Sequence, residues 1–253
     1  MSHGKRLVAV LNWRNGGLVK SNAHSAWRPS LRLEAALRVL DRWQVDEIVL
    51  LDISRKSSLD ERMLEELSAI SLSTPLAVGG GIRLGEDVER VLQAGADRVV
   101  LESLLLDDES GVREITDLIG RQGVIGSLPV MVESDRLSLW RPDGHDSRDP
   151  VDVVRQWIKR GLVSEVLVKD VVAEGCAGQF ASGLSNEFRG LDEGTLIWFG
   201  GLDAPTASEL LERSETAAVA FGNILSHSEL AAVGLRKHLR RAAPGRLRRW
   251  SPA

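Results

Sequence analysis

Short apolar segments alternate with amphipathic segments along almost the whole chain, and this alternation restricts the possible folds more than any other feature. The apolar segments have the length of β-strands, and the amphipathic ones carry apolar residues at helical spacing. Strands are predicted at 6–12, 46–54, 75–81, 98–103, 128–134, 165–171, 195–201 and 217–223, and helices at 30–43, 59–70, 85–95, 108–121, 150–161, 183–191, 205–213 and 227–241. Eight strand–helix units in 253 residues predict an α/β protein with a single (β/α)8 barrel, the TIM-barrel fold.

Segments of the two halves of the chain resemble each other. PLAVGGGIRLGEDVERVLQAGADRVVLES (75–103) aligns with TLIWFGGLDAPTASELLERSETAAVAFGN (195–223). VDEIVLLDIS (45–54) aligns with VSEVLVKDVV (163–172), which matches Glu47 with Glu165 and Asp52 with Asp170. The period of about 120 residues is too long for a solenoid repeat, so the sequence predicts a two-fold repeat of half barrels.

Composition excludes several classes of protein. The net charge of −4 gives no overall attraction to nucleic acid. A single cysteine, Cys176, excludes a disulfide within the chain, and no metal-ligand spacing or cofactor motif is present, so no metal and no cofactor are predicted. The chain has neither a signal-peptide core nor an apolar run of about 18 residues, which predicts a cytoplasmic protein that is not in a membrane. We expect one barrel domain over 1–241 and a basic C-terminal tail, 242–253, that is frayed and solvated.

Glycine pairs follow the third and seventh predicted strands, at the barrel end where TIM-barrel active sites lie. Glycines let backbone N–H groups approach an anion closely, and a following helix N-terminus favours negative charge. The pattern predicts two phosphate sites, one at Gly80, Gly81 and Ser103, the other at Gly200, Gly201, Gly222 and Asn223. The alternative is that the glycines only form tight turns. Glu102 disfavours the first site, because it brings negative charge close to a phosphate.

The opening segment KRLVAVLNWRNGGLVKS (5–21) is followed by VDEIVLLDIS, GGGIR, DVERVLQAGADRVVLES, EVLVKDVVAEG and FGG. In order and spacing these segments resemble the cyclase subunit of imidazole glycerol phosphate synthase, a lyase of histidine biosynthesis, over about residues 5 to 240 and most weakly at 125–149. The variant NGGLVK is similar to cyclase paralogues of surface-polysaccharide pathways. For those paralogues the resemblance implies amidation of an acetamido sugar, together with a glutaminase subunit and a third, synthetase protein.

The resemblance implies a heterodimer in which a glutaminase docks at the N-terminal face of the barrel. Ammonia then passes through the barrel to a phosphorylated substrate at the C-terminal face. It also implies a gate of four charged residues, here Arg6, Glu47, Arg98 and Glu165. A structural salt-bridge ring that plugs the barrel is the alternative. Contact with the glutaminase is implied at Asp97, and Asp46 is placed similarly beside Glu47.

Two catalytic aspartates are implied at the ends of the first and fifth strands, where this chain has Asn12 and Pro129. Neither residue can shuttle protons at neutral pH, although Glu133 or Asp135 could substitute if the fifth strand is shifted. Other residues are expected at the barrel mouth: Lys20, Asp52, and Glu174 with Gly175, which resemble an Asp-Gly pair of the second phosphate loop. Lys169 and Asp170 could simply pair with each other.

Three functions follow from these features. The first is an ammonia-conducting subunit of a glutamine amidotransferase without standard cyclase chemistry. The second is a functional cyclase with displaced carboxylates. The third is a non-catalytic barrel that binds a phosphosugar.

Overall fold

The computed structural model describes residues 4–23, 26–43, 45–56, 58–133, 136–142, 144–223 and 231–248. The strands in this part are β1 (Arg6–Trp13), β2 (Leu18–Asn22), β3 (Ala26–Pro29), β4 (Glu47–Asp52), β5 (Leu76–Gly79), β6 (Arg98–Leu101), β7 (Val124–Glu133), β8 (Arg136–Arg141), β9 (Gly144–Asp146), β10 (Glu165–Asp170), β11 (Leu196–Phe199) and β12 (Thr216–Phe221). The helices are α1 (Leu33–Arg42), α2 (Glu61–Ser68), α3 (Gly85–Gln93), α4 (Ser103–Asp107), α5 (Glu109–Ile119), α6 (Pro150–Lys159), α7 (Ser182–Glu187), α8 (Ala204–Leu211) and α9 (Ala231–Ala242).

Within the described residues, eight parallel strands close into a barrel. They pair in the order β1–β4–β5–β6–β7–β10–β11–β12, and β12 pairs again with β1. At least one helix follows each barrel strand in the chain, so the predicted (β/α)8 barrel is confirmed.

Alternating residues of each barrel strand fill two separate apolar regions. On β1, Val8 and Val10 face the barrel interior, where they pack with residues such as Val49 and Leu167. Leu7 and Ala9 point outward into the larger layer between the strands and the helices. Strands buried on both faces in this way read as continuous apolar runs, which is why the barrel strands are visible in the sequence.

Aspartates at the helix starts explain where several helices begin. Asp60 accepts a hydrogen bond from the backbone N–H of Met63, and Asp203 accepts one from that of Thr206. Asp149 caps α6 directly before Pro150, a residue that suits the first helical position. Each such cap stabilises its helix by about 1 kcal/mol relative to alanine.

The predicted strict alternation is wrong in two places. After β1, the strands β2 and β3 form an antiparallel hairpin, and after β7, β8 and β9 extend the sheet antiparallel to its end. The strand predicted at 128–134 begins four residues earlier, at Val124. The prediction started too late because Gly126 and Ser127 interrupt the apolar run at the start of this strand. β9 lies within 141–149, where neither a strand nor a helix is predicted, and α4 precedes the helix predicted at 108–121.

The described part of the C-terminal tail packs on the barrel instead of fraying. Leu247 forms a parallel bridge with Lys5, next to the start of β1, and Ala243 and Leu247 are both buried. Their apolar side chains supply the burial that a frayed tail would lack. Residues 249–253 lie outside the described residues. Among the described helices, none combines the length and the apolar character needed to span a membrane.

Candidate functional site

Four charged side chains at the N-terminal ends of barrel strands form a closed ring of ion pairs. Arg6 Nη2 lies 2.8 Å from Glu165 Oε1, and Arg98 Nη1 lies 2.8 Å from Glu165 Oε2. Arg98 Nη1 also lies 3.0 Å from Glu47 Oε1, and Arg6 Nε lies 3.5 Å from Glu47 Oε2. Every member therefore contacts two opposite charges. Burial lowers the pKa of Arg6, but Glu165 and Glu47 outweigh it, so that pKa is raised above its ordinary value.

Neutral groups hold the ring in place. Arg98 donates from Nε to the backbone carbonyl of Gln122 at 3.0 Å and from Nη2 to Ser164 Oγ at 2.9 Å. These two residues escaped the sequence analysis, although Ser164 directly precedes Glu165 in the chain. The structure thus brings together all four residues expected at the gate.

The two aspartates proposed for partner docking differ in accessibility. Asp97 is exposed and accepts a hydrogen bond from the backbone N–H of Leu76 at 2.8 Å. Asp46 is only 8% exposed, and its Oδ2 accepts from the N–H of Leu7 and pairs with Arg236, which is 1% exposed. The proposed docking role of Asp46 is therefore corrected, because its carboxylate fastens α9 to the barrel. Burial lowers the pKa of Arg236, and Asp46 opposes that effect.

At the other end of the barrel, Asn12 binds a buried carboxylate. Asn12 Nδ2 donates to Glu174 Oε1 at 2.8 Å, and Ser21 Oγ donates to Glu174 Oε2 at 2.8 Å. Glu174 is only 3% exposed, and Asn223 Nδ2 donates to the backbone carbonyl of Ser21 beside it. An amide at position 12 can donate to this carboxylate, whereas an ionised aspartate has no proton to donate.

Strand register places Pro129 in the position that Asn12 has in the first half barrel. Asn12 pairs with Leu51 in β1–β4, and Pro129 pairs with Lys169 in β7–β10. Leu51 and Lys169 are equivalent in the repeat, because each lies four residues after the matched Glu47 or Glu165. Of the alternative carboxylates, Asp135 and the side chain of Glu133 lie outside the described part of the chain.

Two cavities open at the barrel mouth. The larger, about 430 Å³, is lined by Asp52, Gly80, Gly81, Ser103 and Lys169, with Trp27 and Trp140 contributed by the two additional hairpins. The smaller, about 60 Å³, is lined by Asn12, Glu174, Gly175, Gly200, Gly201, Gly222 and Asn223. The structure therefore separates the predicted mouth residues into these two groups. Lys20 lines neither cavity.

Backbone packing explains the glycine pairs without any ligand. Gly80 has φ +105°, and a Cβ there would collide with the backbone carbonyl of Asp52. Gly200 has φ +107°, and its Cβ would collide with the carbonyl of Asp170. Since Asp52 and Asp170 are also equivalent in the repeat, both halves need glycine for the same close approach. Tight turns thus account for these glycines, and phosphate binding stays a prediction.

A polar cluster that the sequence analysis missed lies in the larger cavity. Lys169 Nζ lies 2.6 Å from Glu102 Oε2, and Ser127 Oγ donates to the same oxygen at 2.6 Å. Asp170 faces away from Lys169 and caps the following loop, accepting from the backbone N–H groups of Val172, Ala173 and Ala181. The expected pairing of Lys169 with Asp170 is therefore wrong, because neighbouring strand residues point to opposite faces. Over the described residues, no cluster of three or more His, Cys, Asp or Glu side chains could hold a metal ion.

Comparisons with known proteins agree with this architecture. The family model described as "Histidine biosynthesis protein" matches residues 6–231. A putative imidazole glycerol phosphate synthase subunit hisF2 of Campylobacter jejuni is 28% identical, over 79% of this chain and 81% of its own. The imidazole glycerol phosphate synthase subunit HisF of Exiguobacterium is 27% identical, over 93% of this chain and 92% of its own. A putative imidazole glycerol phosphate synthase subunit hisF2 of Vibrio vulnificus is 26% identical, over 94% of this chain and 89% of its own. The chain belongs to the histidine biosynthesis protein family, as a divergent, HisF-like member of the imidazole glycerol phosphate synthase cyclase subunits.

Proposed function

We propose that the chain is the ammonia-receiving barrel of a glutamine amidotransferase complex. A glutaminase docks at the face that carries the ring of Arg6, Glu47, Arg98 and Glu165, and ammonia moves through the barrel to the mouth. Standard cyclase chemistry is absent, because Asn12 and Pro129 occupy the positions of the implied acid–base pair. The observation that carries the proposal is the complete ring at one end of the barrel combined with these two residues at the other.

The energetics of buried charge favour a functional ring over a plug. Replacing a buried ion-pair network by apolar side chains of similar volume is often neutral or stabilising. A structural plug therefore needs no charges. An ion-pair ring, in contrast, can open when one pair exchanges partners. Above the ring the interior is lined by Val8, Val10, Val49 and Leu167, which disfavours ammonium but not neutral ammonia.

The relatives support the partner assignment, because those compared are named as subunits of a synthase. By resemblance to paralogues of surface-polysaccharide pathways, we propose that the ammonia acceptor is a phosphorylated or sugar small molecule, that a third, synthetase protein takes part, and that the complex works in the cytoplasm. Neighbouring genes that encode a glutaminase and a sugar-amidating synthetase would agree with this assignment.

The test is association with the glutaminase encoded nearest to the gene of this chain. We expect co-purification as a heterodimer and a glutaminase rate that rises when the chain is added. Asp97→Ala should weaken this association about tenfold, because Asp97 is exposed beside the ring. Glu86→Gln is the matched control, since Glu86 is an exposed acid in the first turn of α3, near the opposite end of the barrel. Absence of any association would refute the proposal.

The functional-cyclase alternative rests on the 430 Å³ cavity, which retains Asp52 at the end of β4. It predicts that the gene rescues a histidine auxotroph that lacks the cyclase, whereas the leading proposal predicts no rescue. A non-catalytic phosphosugar-binding barrel would instead bind a sugar phosphate at the mouth with neither turnover nor partner.

A further inference from the structure

The cluster of Lys169, Glu102 and Ser127 is a buried polar group with access to a ligand. Lys169 is only 5% exposed, yet it lines the 430 Å³ cavity together with Glu102 and Ser127. All three side chains meet at one oxygen, Glu102 Oε2, at 2.6 Å from Lys169 Nζ and 2.6 Å from Ser127 Oγ. A cavity of this size can enclose a small metabolite.

The repeat provides an internal comparison for this cluster. The strand registers and the aligned segments make Leu51 the equivalent of Lys169, Val10 that of Ser127, and Gly222 that of Glu102. The first half barrel thus closes around apolar residues where the second places a lysine and a hydroxyl. Because the fold does not require polar groups at these positions, and because burying them is costly, the cluster points to chemistry in the cavity.

The charges of the cluster indicate what kind of group it handles. Lys169 and Glu102 neutralise each other, so the pair offers no net attraction to a bare anion. The pair instead fits a ligand that has a carbonyl group. A lysine amine forms imines with carbonyl carbons, and the neighbouring carboxylate can accept and donate the protons that this reaction moves. Asp52 and Arg83 also line the cavity and provide hydrogen-bonding groups for the rest of such a ligand.

We propose that Lys169 is a nucleophile that forms an imine with the carbonyl group of a phosphorylated sugar in the larger cavity, a substrate class that rests on the proposed function, and that Glu102 transfers the protons. The Lys169 ammonium passes a proton to Glu102, and the amine adds to the carbonyl carbon. Glu102 protonates the resulting oxyanion and then takes a proton from the nitrogen. It returns that proton to the hydroxyl, which leaves as water. The carbonyl and the ammonium have then become a protonated imine and water, and Glu102 is again a carboxylate.

The test is reductive trapping of the imine in the full chain. The protein is incubated with ribulose 5-phosphate, glyceraldehyde 3-phosphate or pyridoxal 5′-phosphate, sodium cyanoborohydride is added, and the adduct is located by peptide mass spectrometry. We expect a single adduct at Lys169 with at least one of these probes. Lys169→Arg keeps the cation and the ion pair but cannot form the adduct. Glu102→Gln should slow trapping by about tenfold or more, because it cannot shuttle protons.

Lys56 provides the control for unspecific reaction with amines. It lines the same cavity with a side chain that is 50% exposed, and it pairs with Asp60. Unspecific modification should therefore favour Lys56 over the buried Lys169. Adducts confined to Lys56 and other exposed lysines, or no adduct at Lys169 with any probe, would overturn the proposal. The result does not depend on a glutaminase, so it separates this activity from the proposed ammonia transfer.

Discussion

Introducing an aspartate at the end of β1 should damage this protein. In Asn12→Asp the donor Nδ2 is lost, and the introduced carboxyl lies where that amide contacts Glu174 Oε1 at 2.8 Å. Two carboxylates at that separation cannot both ionise in a buried site, so one of them must hold a proton. The structure therefore predicts that the substitution expected to recover a cyclase residue instead creates a repelling pair.

The cost follows from linkage between protonation and folding. The introduced aspartate has a pKa of about 3.9 in the unfolded chain but must stay protonated in the folded one. The free energy of unfolding of the variant therefore falls by about 1.36 kcal/mol for each pH unit above 3.9. At pH 7 the upper limit is about 4 kcal/mol. Because the folded pKa is raised, the penalty is absent below about pH 4 and grows as the pH rises through neutrality.

Urea unfolding of wild type, Asn12→Asp and the double variant Asn12→Asp with Glu174→Gln measures this penalty. At pH 7.5 the single variant should lose several kcal/mol relative to wild type, while at pH 4.5 the loss should shrink to about 1 kcal/mol. The double variant should recover stability at pH 7.5, because the glutamine amide can donate to the introduced carboxylate. The reasoning is refuted if the single variant is as stable as wild type at pH 7.5, or if the double variant is no better than the single one.

Two further variants test packing that positions the site. Asp46→Ala removes the carboxylate partner of Arg236, which is 1% exposed, and should lower the free energy of unfolding in urea by about 3–5 kcal/mol. Adding Arg236→Met should recover part of that loss. If the effects of the two substitutions were strictly additive, the buried pair would be contradicted. Gly80→Ala should cost about 1–3 kcal/mol more than the matched control Gly95→Ala. Both glycines have φ near +105°, but only at Gly80 would a Cβ meet backbone, so equal losses of melting temperature would argue against the close approach to Asp52.

The barrel and its repeat could be predicted because they depend on periodicity. Strands such as β1 and β10 are buried on both faces, so their apolar runs stand out between polar helical segments. β7 was placed only in part, since Gly126 and Ser127 break its apolar run. The hairpins that contribute Trp27 and Trp140 to the larger cavity lack a comparable signal, because they are short and partly exposed.

The site could be predicted only where the repeat or a resemblance indicated it. The ring residues recur at strand starts, so their meeting follows from the barrel. Glu102 and Lys169 are 67 residues apart and meet across β7, a contact that no local pattern encodes. Asp46 was misplaced for a similar reason, because its partner Arg236 lies 190 residues away on α9.

Several polar contacts of the barrel interior join the two halves through one segment, β10 and the loop after it. Glu165 completes the ring with Arg6 and Arg98 at the bottom of the barrel. Lys169 reaches Glu102 at the mouth, and Glu174 accepts from Asn12. Identical halves could not form the pair of Lys169 with Glu102, because the repeat equivalent of Lys169 is Leu51. Both strands begin with a glutamate of the ring, Glu47 or Glu165, so β10 diverges from β4 in polarity only toward the mouth. The replacement of leucine by Lys169 therefore makes the mouth polar, and the chemistry of the mouth depends on it.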